Sequence, residues 1–146
     1  MKYRYPLQKL VDLKANEKTQ AEWMLADAIG QLQQEREALA RLEREQDDMR
    51  VRLNDAPQSR MPIAELRLLQ DYYDYRVQAV RRQAKQVDDA EQQVAFRQQQ
   101  LTEKMKEEKV WEKAKEKAFH QFMTIMQKKE QDELDEIALT RRVQTV

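Results

Sequence analysis

The sequence has very few of the residues that end helices and build tight turns. Its 146 residues include one Gly and three Pro, whereas globular domains average about 7% Gly and about 5% Pro. Sheets, barrels and compact four-helix bundles need more turns than so few breakers allow. A phosphate-binding loop needs glycines for close backbone approach. The composition therefore predicts a small number of long helices.

Cysteine and an excess of one charge are also missing, and there is a single histidine. Without Cys, disulfides, thiolate chemistry and Cys-based zinc sites are excluded. Lys+Arg and Asp+Glu both number 27, so we expect no basic face for nucleic acid. The single His120 is interpreted as a solvated helix residue, because a base or a metal site needs partners in geometry. We predict no enzymatic activity, no cofactor and no metal.

Long hydrophobic runs are absent as well. No stretch approaches the roughly 18 apolar residues of a membrane span, and the first residues lack the apolar core of a signal peptide. We therefore predict a cytoplasmic protein without membrane insertion. The mean hydropathy of −1.02 alone would fit disorder. The regular spacing of the apolar residues favours an ordered protein instead.

Two stretches of the chain carry apolar residues in alternating steps of three and four, the heptad spacing of coiled coils. One runs from Leu25 to Leu53, and a change of phase near Ala21 predicts a stutter that locally unwinds the supercoil. The other runs from Ile63 to Met105. Each stretch is long enough to form one face of a continuous helix.

The segment between the two stretches is the strongest break in the chain. Residues 54–59 read NDAPQS, and Pro62 fits the first position of a following helix. We predict an all-α protein: a single long antiparallel two-helix coiled-coil hairpin over residues 1–146. A first helix at about 7–54 and a turn at about 55–61 precede a longer second helix at about 62–142.

The two heptad patterns can be aligned. Pairing Leu53 with Ile63 sets Gln46 opposite Gln70, and a buried polar pair of this kind commonly fixes register. The same alignment places Leu39 opposite Val77, Leu32 opposite Ala84, Leu25 opposite the unexplained Glu91, and Leu7 near Lys109. Residues beyond about 110 then have no intramolecular partner, which predicts a helical overhang of roughly 30 residues.

Two groups of apolar residues lie off these patterns and are candidate binding surfaces. The first follows the turn at helical spacing and comprises Leu68, Tyr72, Tyr75 and Ala79. Exposed aromatics at such spacing often mark a binding face, and a foreign partner or a second hairpin would both explain them. The charged residues 103–117 are interpreted as a solvated face or as a surface for a charged partner.

The second group lies on the predicted overhang and includes Trp111, Phe119, Phe122 and Met126. Insertion into a partner's socket would bury these side chains, and flexible Met side chains suit such a role. The alternatives are a dimer, or coverage by the N-terminal segment 7–13 of the same chain.

Four stretches in order resemble the flagellar export protein FliJ family. Residues 3–14 read YRYPLQKLVDLK and match the family's N-terminus. The others are residues 69–73 after the turn, residues 110–117, and residues 132–138 near the C-terminus. The resemblance spans essentially the whole chain, and its specificity lies in the combined order of the stretches.

The resemblance implies a stalk-like coiled coil of the type III export apparatus, at the inner face of the membrane at the flagellar base. It implies binding to the hexameric export ATPase and promotion of its ring assembly, contact with the large membrane gate protein, and an association with export chaperones. Tyr72 and Ala79 match the family's gate-binding face, where Arg76 replaces a usually apolar residue. The residues assigned to the ATPase ring are Leu7, Leu10, Leu13, Trp111, Phe119, Phe122 and Met126.

Two other functions remain open from the sequence. The chain could be a structural coiled coil that self-associates through the same apolar groups, or the equivalent stalk of a virulence secretion system. The N-terminal match favours the flagellar protein.

Overall fold

Two long helices and one short turn make up the fold. The computed structural model describes residues 3–144, apart from the side chains at positions 57 and 59. Helix α1 spans Gln8–Asp55, a 3-10 turn spans Ala56–Ser59, and helix α2 spans Ile63–Gln144. No strand occurs within residues 3–144. The predicted antiparallel hairpin with a longer second helix is confirmed, and the helix ends agree with the prediction within about two residues.

Backbone hydrogen bonds explain where the helices begin. The carbonyl of Leu7 accepts hydrogen bonds from the amides of Leu10 and Val11 at 3.0 and 3.2 Å. The carbonyl of Pro62 accepts from the amide of Leu66 at 3.0 Å. Leu7 and Pro62 therefore take the N-cap position, where a residue accepts the first helical bond. Pro62 was predicted at the first helical position and takes the preceding N-cap position instead. Its missing N–H is harmless in either position.

The turn reverses the chain through one residue in a left-handed conformation. Arg60 has φ 53° and ψ 44°, a region that L-residues seldom adopt. Ala56, at the start of the 3-10 turn, is 1% exposed. Its small side chain fits where a longer one would have no space. The turn thus combines a left-handed backbone at Arg60 with the most buried of the described side chains, that of Ala56.

The chain divides into two compact units, and unit 2 contains most of the buried residues. Unit 2 spans residues 21–101, including the turn. Its core is formed by Leu32, Val87 and Ala90, with Leu39 and Val94 packed against them. Along α1 the protected positions from residue 25 to residue 53 keep steps of three and four. The heptad pattern predicted for α1 is confirmed.

The register predicted between the helices is wrong by about one turn of α2. Leu32 packs against Val87 and Ala90, three and six residues beyond the predicted partner at position 84. Ile63, predicted to face Leu53, is 76% exposed. Leu32 was predicted to pack against the small side chain of Ala84. It packs against another small side chain, that of Ala90.

Gln70, predicted to pair with Gln46 and so fix the register, forms a hydrogen bond within its own helix instead. The Gln70 amide donates to the Asp74 carboxylate in its own helix at 3.0 Å, and Gln70 is exposed rather than facing Gln46. Between the helices, the amide of Gln83 donates to the carbonyl of Glu35 at 3.0 Å. A glutamine with a carboxylate one turn away needs no partner across the seam.

The later part of the heptad pattern predicted for residues 63–105 is also displaced. Glu91, Gln98 and Met105 are exposed, whereas Ala90 is buried. Glu91 accordingly accepts a hydrogen bond from Arg36 at 3.1 Å on the surface. Burying an alanine and leaving the carboxylate in water avoids a desolvation cost, which explains the residue that the predicted register could not.

Unit 1 comprises residues 1–20 and 102–146. Within its described part, Val11 is the one residue classed as buried. Protected positions at the start of α1 include Val11, Lys14 and Lys18, which lie in steps of three and four from Ala21 and residue 25, and also residues 15, 17 and 19. The stutter near Ala21 stays a prediction. Two lysines occupy heptad positions where the sequence pattern counted only apolar residues.

The overhang is shorter than predicted and begins further along α2. The ring of Tyr3 packs against the rings of Phe119 and Phe122. Residues 127–144 are exposed throughout, whereas Phe122 and Met126 are half-buried. The predicted start near residue 110 is wrong, because the true register extends the overlap and Tyr3 reaches beyond the start of α1.

Candidate partner-binding surfaces

The residues predicted after the turn lie together on the surface of unit 2. Leu68, Tyr72 and Tyr75 are 56%, 55% and 60% exposed, and Ala79 is partly exposed. We call these four residues the tyrosine face. Leu68 and the two tyrosines line a shallow groove of about 400 Å³ together with Asp71. The sequence analysis missed Asp71, although its position one residue before Tyr72 places it beside the stripe.

One side of the tyrosine face is bordered by stacked and paired cations. The Arg82 guanidinium lies 5.9 Å from the centre of the Tyr75 ring, within the range of a cation–π contact. Arg76 donates a hydrogen bond to the Glu45 carboxylate on α1 at 2.6 Å and is half-buried. Arg76 therefore links the two helices, so its charge is already partnered within the hairpin.

The aromatic residues predicted on the overhang form a second surface, in unit 1. Phe119 is exposed, and the remaining members of this terminal aromatic face, Trp111, Phe122 and Met126, are half-buried. The Tyr3 ring lies 5.5 Å from the Phe119 ring at an interplanar angle of 65°. It lies 4.8 Å from the Phe122 ring at 37°. Both separations fall in the favourable range for aromatic pairs.

The N-terminal leucines differ in their exposure. Leu7 and Leu13 are exposed, and Leu10 is half-buried. The ring contacts that cover part of Phe119 and Phe122 come from Tyr3. Coverage by the N-terminal segment was one of the alternatives for this surface. Tyr3 itself was missed, because it precedes the helix and so belongs to no heptad.

A group of ion pairs joins the two helices within unit 1. Lys14 pairs with Glu107 at 3.2 Å, Lys18 with Glu108 at 3.1 Å, and Lys104 with Glu17 at 3.1 Å. The charged stretch 103–117, interpreted as a solvated face or a partner surface, is thus partly used inside the hairpin. We call these three cross-helix pairs the ionic seam.

The electrostatics of the ionic seam follow from its close contacts. The hydrogen bond from Lys104 lowers the pKa of Glu17 below its usual value of 4.5, and Lys14 adds to this effect. The same bond raises the pKa of Lys104 above 10.5. The Oε2 atom of Glu108 is buried without a hydrogen-bond partner among the described residues. Such an atom carries a desolvation cost that favours opening of the seam.

Further exposed apolar residues were not singled out from the sequence. In unit 2, Trp23 and Phe96 are exposed, and Arg97 lies 5.6 Å from the Phe96 ring. Near the C-terminus of α2 the exposed apolar residues are Leu134, Ile137, Leu139 and Val143. Trp23 and Phe96 lie at exposed positions of α1 and α2, and residues 134–143 lie in the stretch 127–144, which is exposed throughout.

Among the described residues, the candidate functional features are the exposed apolar surfaces. No group of His, Asp and Glu suited to a metal ion occurs in residues 3–144. His120 lies 3.9 Å from the Glu116 carboxylate, and both side chains are exposed. Neither α1 nor α2, over the part described, contains a segment apolar and long enough to cross a membrane.

Two long antiparallel helices that pack at heptad spacing define the fold class as an α-helical coiled-coil hairpin. The family model described as flagellar FliJ protein matches residues 1–144. The chain therefore belongs to the FliJ family, and the resemblance drawn from its sequence is confirmed.

One solved structure shares this fold over nearly its whole length. It is described as a YscO homologue, CT670 from Chlamydia trachomatis, with a TM-score of 0.78 and 21% sequence identity. The similarity covers 94% of this chain and 93% of that one. At this identity the likeness establishes the fold. No match is found among curated protein sequences.

Proposed function

We propose that this protein is a non-enzymatic, stalk-like component of the flagellar type III export apparatus. It binds the hexameric export ATPase, promotes ring assembly and turnover, and couples the ATPase to the membrane gate protein. The observation that carries the proposal is the FliJ-family match over residues 1–144 in a chain with two separate exposed aromatic faces. The protein acts at the cytoplasmic side of the membrane as a peripheral component.

The terminal aromatic face is the proposed contact with the ATPase ring. Trp111, Phe119, Phe122 and Met126 follow one another along α2. Leu10 and Leu13 supply apolar side chains from α1, and Leu7 supplies one from its N-cap. Aromatic residues dominate the energetics of many interfaces because they bury large areas with few rotatable bonds. An amphipathic helix that enters a partner's socket uses anchors at this helical spacing.

The tyrosine face is the proposed contact with the gate protein. Leu68, Tyr72 and Tyr75 are exposed around a groove, and Tyr is among the residue types enriched at interface hot spots. The cation–π contact with Arg82 holds the Tyr75 ring in place before binding. A side chain that is already ordered loses less entropy on binding. Export chaperones are further possible partners within the same proposal.

The decisive experiment titrates this protein into the flagellar export ATPase of the same organism. ATP hydrolysis and oligomer size are measured at each concentration. Saturable stimulation accompanied by hexamer formation is the expected result. A flat response in both measurements, with this protein running as its own dimer, would overturn the ATPase assignment and favour the self-associating structural coiled coil.

The gate contact has its own test with a matched control. Tyr72→Ala with Tyr75→Ala is expected to weaken binding to the soluble domain of the gate protein by about 1–3 kcal/mol. Phe96→Ala is the control, since Phe96 is 49% exposed in the same unit and also lies against an arginine. Equal affinity for all three proteins would remove the tyrosine face as the gate contact.

A further inference from the structure

The terminal aromatic face is already partly occupied by the chain's own N-terminus. Tyr3 packs against Phe119 at an edge-to-face angle and lies closer still to Phe122. A partner that docks on these two rings must therefore displace Tyr3 or build on top of it. The two possibilities lead to opposite effects when Tyr3 is removed.

The segment that carries Tyr3 is held by contacts that are easily exchanged for water. Of the described residues in unit 1, Val11 is classed as buried, whereas unit 2 has six such residues. Residues 3–20 contact α2 through the two ring contacts of Tyr3 and through the ionic seam. Partly exposed ion pairs contribute little and are screened by salt.

The ionic seam also contains its own tendency to open. The buried Oε2 atom of Glu108 has no hydrogen-bond partner among the described residues, although Oε1 accepts from Lys18 at 3.1 Å. When the segment leaves, water can reach that atom. Lys14 and Glu17 remain paired to each other within α1 at 3.5 Å, and Lys104 and Glu107 within α2 at 3.6 Å. Opening therefore leaves these four charges with partners.

We propose that residues 3–20 form a releasable cover over the terminal aromatic face, with Tyr3 as the side chain that a partner displaces. The assignment of that partner rests on the proposed function, since the export ATPase is the protein expected to bind there. The cover keeps Phe119 and Phe122 partly out of water in the free protein. The cover also weakens the apparent affinity for the partner, because only the fraction of molecules in which the cover is open can bind.

Release of the cover is measurable without any partner. Amide hydrogen exchange of the full chain is compared between residues 11–20 and residues 28–39, at about 0.1 M and about 1 M NaCl. Loss of three screened ion pairs should raise exchange in residues 11–20 by about 3-fold to about 100-fold. Exchange in residues 28–39 should hardly change. Equal and salt-independent protection in the two segments would overturn the proposal.

Two variants extend the test to the partner. Tyr3→Ala should bind the export ATPase about 2-fold to 12-fold more tightly, because one aromatic contact no longer competes. Tyr5→Ala is the matched control, with the same truncation two residues away. Lys14→Leu with Glu107→Leu replaces one of the three ion pairs by an apolar pair, and should make exchange less sensitive to salt and binding weaker.

The outcomes separate the cover from the proposed function. Weaker binding of Tyr3→Ala than of Tyr5→Ala would show that Tyr3 belongs to the binding surface, and would overturn the proposal. If the unaltered protein does not bind the ATPase at all, the proposed partner is wrong. The exchange measurements then decide the cover by themselves, because they need no partner.

Discussion

The left-handed residue at the end of the turn gives a prediction whose magnitude follows from backbone geometry. Arg60 has φ 53° and ψ 44°, a conformation that costs residues with a Cβ about 1–2 kcal/mol. Glycine avoids this cost but loses about 0.5–1 kcal/mol more in backbone entropy on folding. Arg60→Gly should therefore stabilise the protein by a net amount of about 0.5–1 kcal/mol.

The assay is urea unfolding followed by circular dichroism, with Arg60→Ala as the matched control. Both variants remove the guanidinium, but only Arg60→Gly removes the Cβ that opposes the left-handed conformation. The midpoint should rise for Arg60→Gly and stay near that of the unaltered protein for Arg60→Ala, with similar denaturant slopes. If the two variants unfold at the same midpoint, the reasoning from backbone strain is refuted.

Three further predictions concern packing, helix propensity and pH. Leu32→Ala should lower the free energy of unfolding by about 2–5 kcal/mol in the same assay, because Leu32 packs in the core with Val87 and Ala90; a smaller loss would contradict that core. Gly30→Ala should stabilise α1 by about 1 kcal/mol, since a Cβ at Gly30 meets nothing within 4 Å; destabilisation would indicate an unrecognised close approach. The stabilising contribution of Glu17, whose pKa is lowered, is present above pH 4.5 and lost as the pH falls through its folded value. The contribution of Lys104, whose pKa is raised, is present below pH 10.5 and lost as the pH rises through its folded value. Trp111 fluorescence in a Trp23→Phe background should therefore change at both extremes with a plateau between, and Glu17→Gln should remove the acid-side change that this pair causes.

The class of fold was predictable because it depends on averages along the chain. A single Gly, three Pro and one cluster of breakers leave two long helices joined at residues 54–59. The heptad pattern in α1 was readable since its inward positions are mostly apolar. Periodicity over many residues tolerates single exceptions, so errors at individual positions did not change the architecture.

The register was not predictable to better than about one turn, because the seam is not uniformly apolar. Lys14, Lys18 and Lys104 are half-buried through ion pairs, and a method that counts apolar residues passes over them. Glu91 and Ala90 are neighbours, and the pattern alone favoured the wrong one. Side-chain volume and desolvation decide between such neighbours, and both depend on the opposite helix.

The candidate surfaces were predicted in part for the same reason. Leu68, Tyr72, Tyr75 and Ala79 lie on one helix, so their shared face follows from helical geometry alone. The cover over Phe119 and Phe122 joins Tyr3 to residues more than a hundred positions away. A contact of that separation requires the register, which the sequence left in error.

The different make-up of the two units has a consequence for how each surface is presented. In unit 2 the core side chains, Leu32 and Val87 among them, gain nothing from water, so the helices there stay together and the tyrosine face is permanently exposed. In unit 1 the inward lysines and glutamates interact almost as well with water as with each other. A helix pair joined in this way can open at low cost, and the released end of α1 then loses the packing that protects its backbone hydrogen bonds. One heptad pattern thus yields an exposed aromatic surface in unit 2 and, on our proposal, a surface governed by the protein's own N-terminal segment in unit 1.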